Sequence, residues 1–204
     1  MSDGEIPRDA RGEVATAVQR ALAKHGYARL TTAKVAAESE LSEAGLYYHY
    51  DTKDDMIVAF LREAEGYLAE ELAAFDDSDR ADSEVPAPEA RLRAAVDFLL
   101  VDPADEVRAG VNVAMMELLS HAPYNDALRE HLLAMERHVL GVLTDIVADG
   151  VESGVFRDVD PEATAALLLA ATDGSTGIDV ALDLGVGDGI RSALHDYVDC
   201  LLAE

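Results

Sequence analysis

The sequence predicts an all-α protein, and three observations carry that prediction. Half of its 204 residues are hydrophobic, and they recur every three to four positions in stretch after stretch. The strongest breakers fall between those stretches: Gly26, Pro88, Pro103, Pro123, Gly154, Pro161 and Gly185. No alternation of period two is sustained anywhere, so no strand is expected.

Taken in order, the first helix is patterned by Val14, Ala17, Val18, Ala21 and Leu22, and Gly26 stands where a C-cap belongs. Two short helices follow. Thr31 and Thr32 can cap the first, expected over 33–38, and Ser42 the second, beginning at Glu43. Ser39-Glu40-Leu41 between them gives the spacing of a helix-turn-helix. Thr52 is a plausible N-cap for a longer helix patterned by Met56, Phe60, Tyr67, Leu68 and Phe75. The acidic, proline-bearing segment 76–88 reads as a linker.

Beyond it, Leu92, Ala95, Val96 and Leu99 form one apolar face, ended by Asp102-Pro103. A second helix runs to about Ser120 through Val107, Val111, Met115 and Leu118. Leu128, Leu132, Met135, Val139, Val142 and Ile146 pattern a long third helix that starts at Asn125 and stops near Gly154. Asp160-Pro161 is an N-cap followed by proline at the first helical position, opening a helix expected to reach Leu184. That helix is crowded with small residues. Ile190, Leu194, Val198 and Leu201 pattern the last one, after a turn over 185–188.

The stretch Ser42-x-x-x-Leu46-Tyr47-Tyr48-His49-Tyr50-x-x-Lys53, preceded by Gly26-Tyr27 and Thr31, resembles the DNA-binding head of TetR-family transcriptional regulators. Gly154-Val155-Phe156, Asp160-Pro161 and the small-residue helix resemble that family's regulatory domains, less specifically. The resemblance implies a helix-turn-helix domain over 1–55 and a helical effector-binding and dimerisation domain over 56–204. It also implies duplex DNA with a palindromic operator as partner, a homodimer, and a small-molecule effector of unknown identity. Carried over by position, Glu43, Ala44, Gly45 and Tyr47 match base contacts, and Thr32, Tyr48, His49 and Lys53 match phosphate contacts. Lys34 and Ser42 are further candidates. Leu46 should be core; of Tyr47 and Tyr48, one ring should be partly buried and the other should expose its hydroxyl. The sequence departs from the family at Glu43, where many members have Lys, and at Ala44 and Glu40, where many have Gly. A glutamate there can accept from cytosine N4 but also repels phosphate.

For dimerisation, the resemblance implies the last two helices, with Leu167, Ala170, Ala171, Gly174, Leu194, Val198 and Leu201 as interface residues. Their apolar faces exceed what one partner helix covers, and small residues permit close approach. Phe98, Met115, Met116, Tyr124 and Met135 could line a pocket for an apolar effector. Ordinary core is the competing reading.

Composition sets the remaining bounds. The net charge is −25, but residues 1–60 hold seven Lys and Arg against ten Asp and Glu, whereas 61–204 hold nine against 31. All three lysines, Lys24, Lys34 and Lys53, lie in the first segment. The head is thus nearly neutral and the rest strongly acidic, a balance typical of proteins from a salt-rich cytoplasm, where self-repulsion is screened. The single cysteine, Cys200, forms no internal disulfide and reads as a small packing residue of a chain from a reducing cytoplasm. The first residues lack the apolar core of a signal peptide, and no apolar run approaches the length of a membrane span. His121, His131 and His138 read as partly exposed helix histidines rather than a metal site. No catalytic motif, metal site or cofactor loop stands out. The expectation is a ligand-released repressor; the alternative is a helical ligand-binding or catalytic module whose head no longer binds DNA.

Overall fold

The computed structural model describes residues 8–75, 86–100 and 106–203, the side chains of 8–10 and 106–107 excepted. Among them are nine α-helices: α1 Arg8–His25, α2 Thr32–Ala37, α3 Glu43–His49, α4 Lys53–Leu72, α5 Pro88–Leu99, α6 Glu106–His121, α7 Asp126–Glu152, α8 Pro161–Leu182 and α9 Gly187–Leu201. Single 3₁₀ turns lie at Tyr27–Arg29 and Ala122–Tyr124. No strand occurs among the described residues; one isolated antiparallel bridge joins Phe156 to Leu202. Most of the 76–88 segment, the Asp102-Pro103 stop and the Val107 side chain lie outside the described residues.

The helix ends follow capping chemistry. Ser42 Oγ accepts from the Gly45 N–H at 3.1 Å at the start of α3. Asn125 Oδ1 accepts from Ala127 and Leu128 at 3.1 and 3.3 Å at the start of α7, and Asp160 Oδ1 accepts from Ala163 at 3.0 Å at the start of α8. Gly154, with φ 73°, lets the chain leave α7. α8 ends at Leu182, two residues before its expected limit, on Asp183 with φ 51°.

Packing divides the chain into two compact units. One comprises 1–67 with 106–134, the other 68–105 with 135–204. The first unit has its own core, with Val14, Val18, Leu22, Val35, Leu46, Met56, Ile57, Leu61, Leu118 and Leu128 buried. The reason for the division is long-range: α6 packs along α1 and the 3₁₀ turn behind it, so a helix distant in sequence completes the head's core.

The second unit has its own core, built from Leu72, Leu92, Val96, Leu143, Ile146, Phe156, Leu168, Leu194, Val198 and Leu201. At Gly150 a Cβ would lie 2.0 Å from the Phe156 ring, so glycine is what admits that ring against α7. Arg91, buried at 5 % exposure, donates to the Phe75 carbonyl at 2.8 Å and to Asp149 at 2.9 Å. Cys200 is exposed rather than packed. α8 is long and apolar enough to cross a membrane by length and composition, as a core helix can be. One face of α8, with Thr164, Ala165, Leu168, Thr172 and Ser175, is buried in the unit's own core.

Candidate nucleic-acid interface

α2 and α3 are too short to be stable alone, and their placement comes from packing and caps. Val35 and Leu46 anchor them, both fully buried. The turn between them is held from α1: Glu13 Oε1 accepts from the Ser39 hydroxyl and the Glu40 N–H, each at 2.7 Å. Thr31 rather than Thr32 caps α2, accepting from the Lys34 N–H at 3.3 Å. Thr32 is buried, so its side chain is not presented as the sequence suggested; the exposed hydroxyl belongs to Thr31.

On α3 the outward residues are Ser42, Glu43, Ala44, Tyr47 and Tyr48, with Gly45 and His49 half-buried. Tyr47 is 51 % exposed and Tyr48 84 %, so one ring is about half covered and the other lies open, in line with the expectation. The physical reason is spacing: Leu46 is the single inward anchor of a two-turn helix, and its neighbours point away. The Tyr48 and His49 rings meet edge-on at 4.9 Å.

The start of α4 is a reciprocal capping box that the Thr52-x-x-Asp55 spacing could have revealed. The Asp55 N–H donates to Thr52 Oγ1 at 3.1 Å, and the Thr52 N–H donates to Asp55 Oδ2 at 2.9 Å. All three lysines are engaged. Lys24 pairs with Glu38 at 2.8 Å, and that hydrogen bond holds the Glu38 carboxyl below its ordinary range. Lys34 Nζ donates to the Arg29 carbonyl at 2.6 Å. Lys53 Nζ lies 4.6 Å from the centre of the Tyr27 ring.

The effector candidates are divided between the units. Met115, Met116 and Tyr124 belong to the first, where Met115 packs against the core and Tyr124 is 88 % exposed. Phe98 and Met135 belong to the second, where Phe98 meets Phe75 at 5.9 Å between ring centres. His131 sits 3.4 Å from Glu65, His121 packs on Tyr27, and His138 is exposed. Among the described residues no three potential metal ligands gather. Of the interface candidates, Leu167, Ala170 and Gly174 face outward on α8, whereas Ala171 is half-buried against the unit's own core. Leu194, Val198 and Leu201 are buried in that core, so they are not free to meet a partner. The exposed residues of α9 are Asp188, Gly189, Ser192, Ala193, Asp196, Asp199 and Cys200.

A carboxylate pair escaped the sequence reading. Glu136 on α7 and Asp173 on α8 are hydrogen-bonded; desolvation and the neighbouring Asp173 raise the half-buried Glu136 to about 7, and partial desolvation raises Asp173, which stays exposed on α8. No sequence signal marks two acids 37 positions apart in so acidic a chain.

Comparison with known proteins converges on one family. Residues 16–60 match the description "Bacterial regulatory proteins, tetR family", and 88–203 match "BetI-type transcriptional repressor, C-terminal". A TetR transcription regulator from Haloarcula marismortui is 34 % identical, with TM-score 0.82, over 96 % of this chain and 99 % of that one. A transcriptional regulator from Saccharomonospora viridis in complex with choline has TM-score 0.82 at 22 % identity, over 97 % and 100 % of the two chains. FadR from Bacillus subtilis in complex with stearoyl-CoA has TM-score 0.71 at 16 % identity, over 94 % and 97 %. Among curated protein sequences none matches this chain. With its head and body both matched, and a 34 % identical relative aligned over almost its whole length, the chain belongs to the TetR family of transcriptional regulators.

Proposed function

We propose that the chain acts as a homodimeric repressor that binds a palindromic operator through α3 and is released by a small molecule. The observation that carries the DNA-binding part is the outward row on α3, with Glu43, Ala44 and Tyr47 for bases and Tyr48 for phosphate, joined by the half-buried His49 at the end of α3 and Lys53 at the start of α4 as further phosphate contacts. Ser42, Gly45 and Lys34 serve its geometry: the first two close the cap of α3 and the third bonds the Arg29 carbonyl. The outward apolar face of α8, including Leu167, Ala170 and Gly174, supports dimerisation. Phe98 and Met135 remain the effector candidates within the second unit. The choline and stearoyl-CoA complexes of structurally similar regulators support a small-molecule effector. Release requires that the effector prefer a dimer whose heads are wrongly spaced, since equal affinity for both states shifts nothing. The excess of acid supports a salt-rich cytoplasm as the setting.

Selection of bound fragments from randomised duplex DNA in high KCl tests the reading. The expected result is a palindrome of two half-sites, lost when Tyr48 and Lys53 are both replaced by Ala. Enrichment that survives that double replacement would place DNA binding elsewhere on the chain.

A further inference from the structure

Tyr27 gathers more partners than any role in the head's core requires. Gly26 before it has φ 73°, and a Cβ there would lie 2.6 Å from Glu117 Oε1. Without that Cβ, the Glu117 carboxylate on α6 reaches the Tyr27 N–H and accepts a short hydrogen bond from it. One turn further along α6, the His121 ring packs on the Tyr27 ring at 4.2 Å between centres, tilted by 35°. The Tyr27 hydroxyl donates to Asp54 Oδ1 at 3.4 Å and is hydrogen-bonded to the side chain of Asn125, the N-cap of α7. Lys53 Nζ stands 4.6 Å from the ring centre. All of these residues lie in the first unit. One side chain thus touches the last turn of α6, the start of α7 and the first turn of α4.

We propose that Tyr27 is a positioning residue for DNA binding: with its backbone held by Glu117 and its ring packed on His121 at the end of α6, that ring holds the Lys53 ammonium where it meets a phosphate. This rests on the reading that Lys53 contacts DNA. A lysine head on a four-carbon stem samples many positions in water, and binding must fix one. An aromatic face restricts that sampling before DNA arrives. A cation–π contact at an exposed site corresponds to about a two- to five-fold gain. Because the ring is held from α6, a shift of that turn reaches the phosphate contact without passing through α3.

The test is fluorescence anisotropy with the selected operator across a range of KCl, for Lys53→Ala, Tyr27→Leu, Tyr27→Phe, His121→Ala and the Tyr27→Leu/Lys53→Ala pair. Losing one phosphate contact per subunit changes the slope of log affinity against log salt by about 0.9 per subunit. Lys53→Ala should show that change. Tyr27→Leu should reproduce it with about a two- to five-fold loss of affinity and add little once Lys53 is gone, while Tyr27→Phe, which keeps the aromatic face, should retain the wild-type slope. His121→Ala leaves both Tyr27 and Lys53 in place and should still shift the slope in the same direction. If Lys53→Ala alters the slope but Tyr27→Leu and His121→Ala do not, Tyr27 is only core packing and the inference is wrong. If Lys53→Ala leaves the slope unchanged, the phosphate assignment falls and takes the inference with it. Should Tyr27→Leu fail to fold by circular dichroism, His121→Ala decides.

Discussion

Glu43 and Tyr48 sit on the same seven-residue helix, yet replacing them should have different consequences. Glu43 lies in the first turn, the part of a recognition helix that meets base edges, and it is exposed. Its carboxylate accepts hydrogen bonds only, so at the base edge proposed for it a glutamate would select cytosine N4 and disfavour the guanine edge that a lysine would seek. Glu43→Lys should therefore change which half-site is preferred, with about 1–3 kcal/mol of altered discrimination at one base pair. Tyr48 is exposed towards the far end of the helix, and the phosphate contact proposed for its hydroxyl would fix register without reading sequence. Tyr48→Phe should weaken all sites about equally, by roughly 1 kcal/mol for one hydrogen bond. Competition between the selected operator and single-base variants separates the two effects, and equal losses across every site for both substitutions would overturn the assigned roles.

At the scale of the helices, α8 offers two faces that a single arginine can tell apart. Ala170 is exposed on the outward face, whereas its neighbour Ala171 is half-buried against the unit's own core. Ala170→Arg should leave the fold intact and give monomers in light scattering at high salt; Ala171→Arg should lower thermal stability by about 1–3 kcal/mol through overpacking. A dimeric Ala170→Arg protein would move the interface off α8. The pair between α7 and α8 gives a pH prediction. Burial, and after it the charge of Asp173, holds Glu136 at about 7 against an ordinary 4.5. Between those values the folded chain keeps a proton that the unfolded chain has lost, so stability falls as pH rises through the window. Direct conversion of the shift corresponds to about 3 kcal/mol, but water reaches both groups, and about 1 kcal/mol is expected. Glu136→Gln should flatten unfolding free energy measured by urea titration from pH 5 to pH 8, and an unchanged slope would show that the pair does not share a proton. Helix limits were readable because caps are local: Ser42, Asn125 and Asp160 announce their helices within three residues. The partners of faces were not. Periodicity shows that Leu194, Val198 and Leu201 must be covered, but both a neighbouring helix and a second subunit satisfy it. The pairing of α6 with the head rests on contacts such as Tyr27 to Glu117, 90 positions apart, which no window of sequence contains.

Over the whole molecule, charge sets the conditions under which DNA can be bound at all. DNA-binding proteins ordinarily release counterions from phosphates, and affinity falls by about 0.9 in log units per contact for each decade of salt. Here the chain carries −25, nearly all of it beyond residue 60. The head's own cations are few, and Lys24 is already paired with Glu38. Its acids are not equally free: Asp55 is held in the capping box with Thr52, and Asp54 faces the Tyr27 hydroxyl. Glu40, Glu43 and Asp51 remain exposed close to the reading helix. Bringing those three towards phosphate demands that cations stay in the interface or enter it, which opposes the usual release. Repulsion between DNA and the acidic remainder of the chain acts over longer distances. It is screened once the Debye length drops from about 10 Å at 0.1 M to about 3 Å at 1 M. The direct contacts, shorter than that length, are affected least. Specific affinity should therefore be weak at low salt and flat or rising with KCl up to about 1 M, where screening saturates. Anisotropy with the selected operator measures it, with circular dichroism confirming the fold at each salt concentration. A steep fall of affinity with salt in a folded protein would mean that Glu40, Glu43 and Asp51 stand clear of the DNA and that Lys53 and the head's arginines dominate the approach.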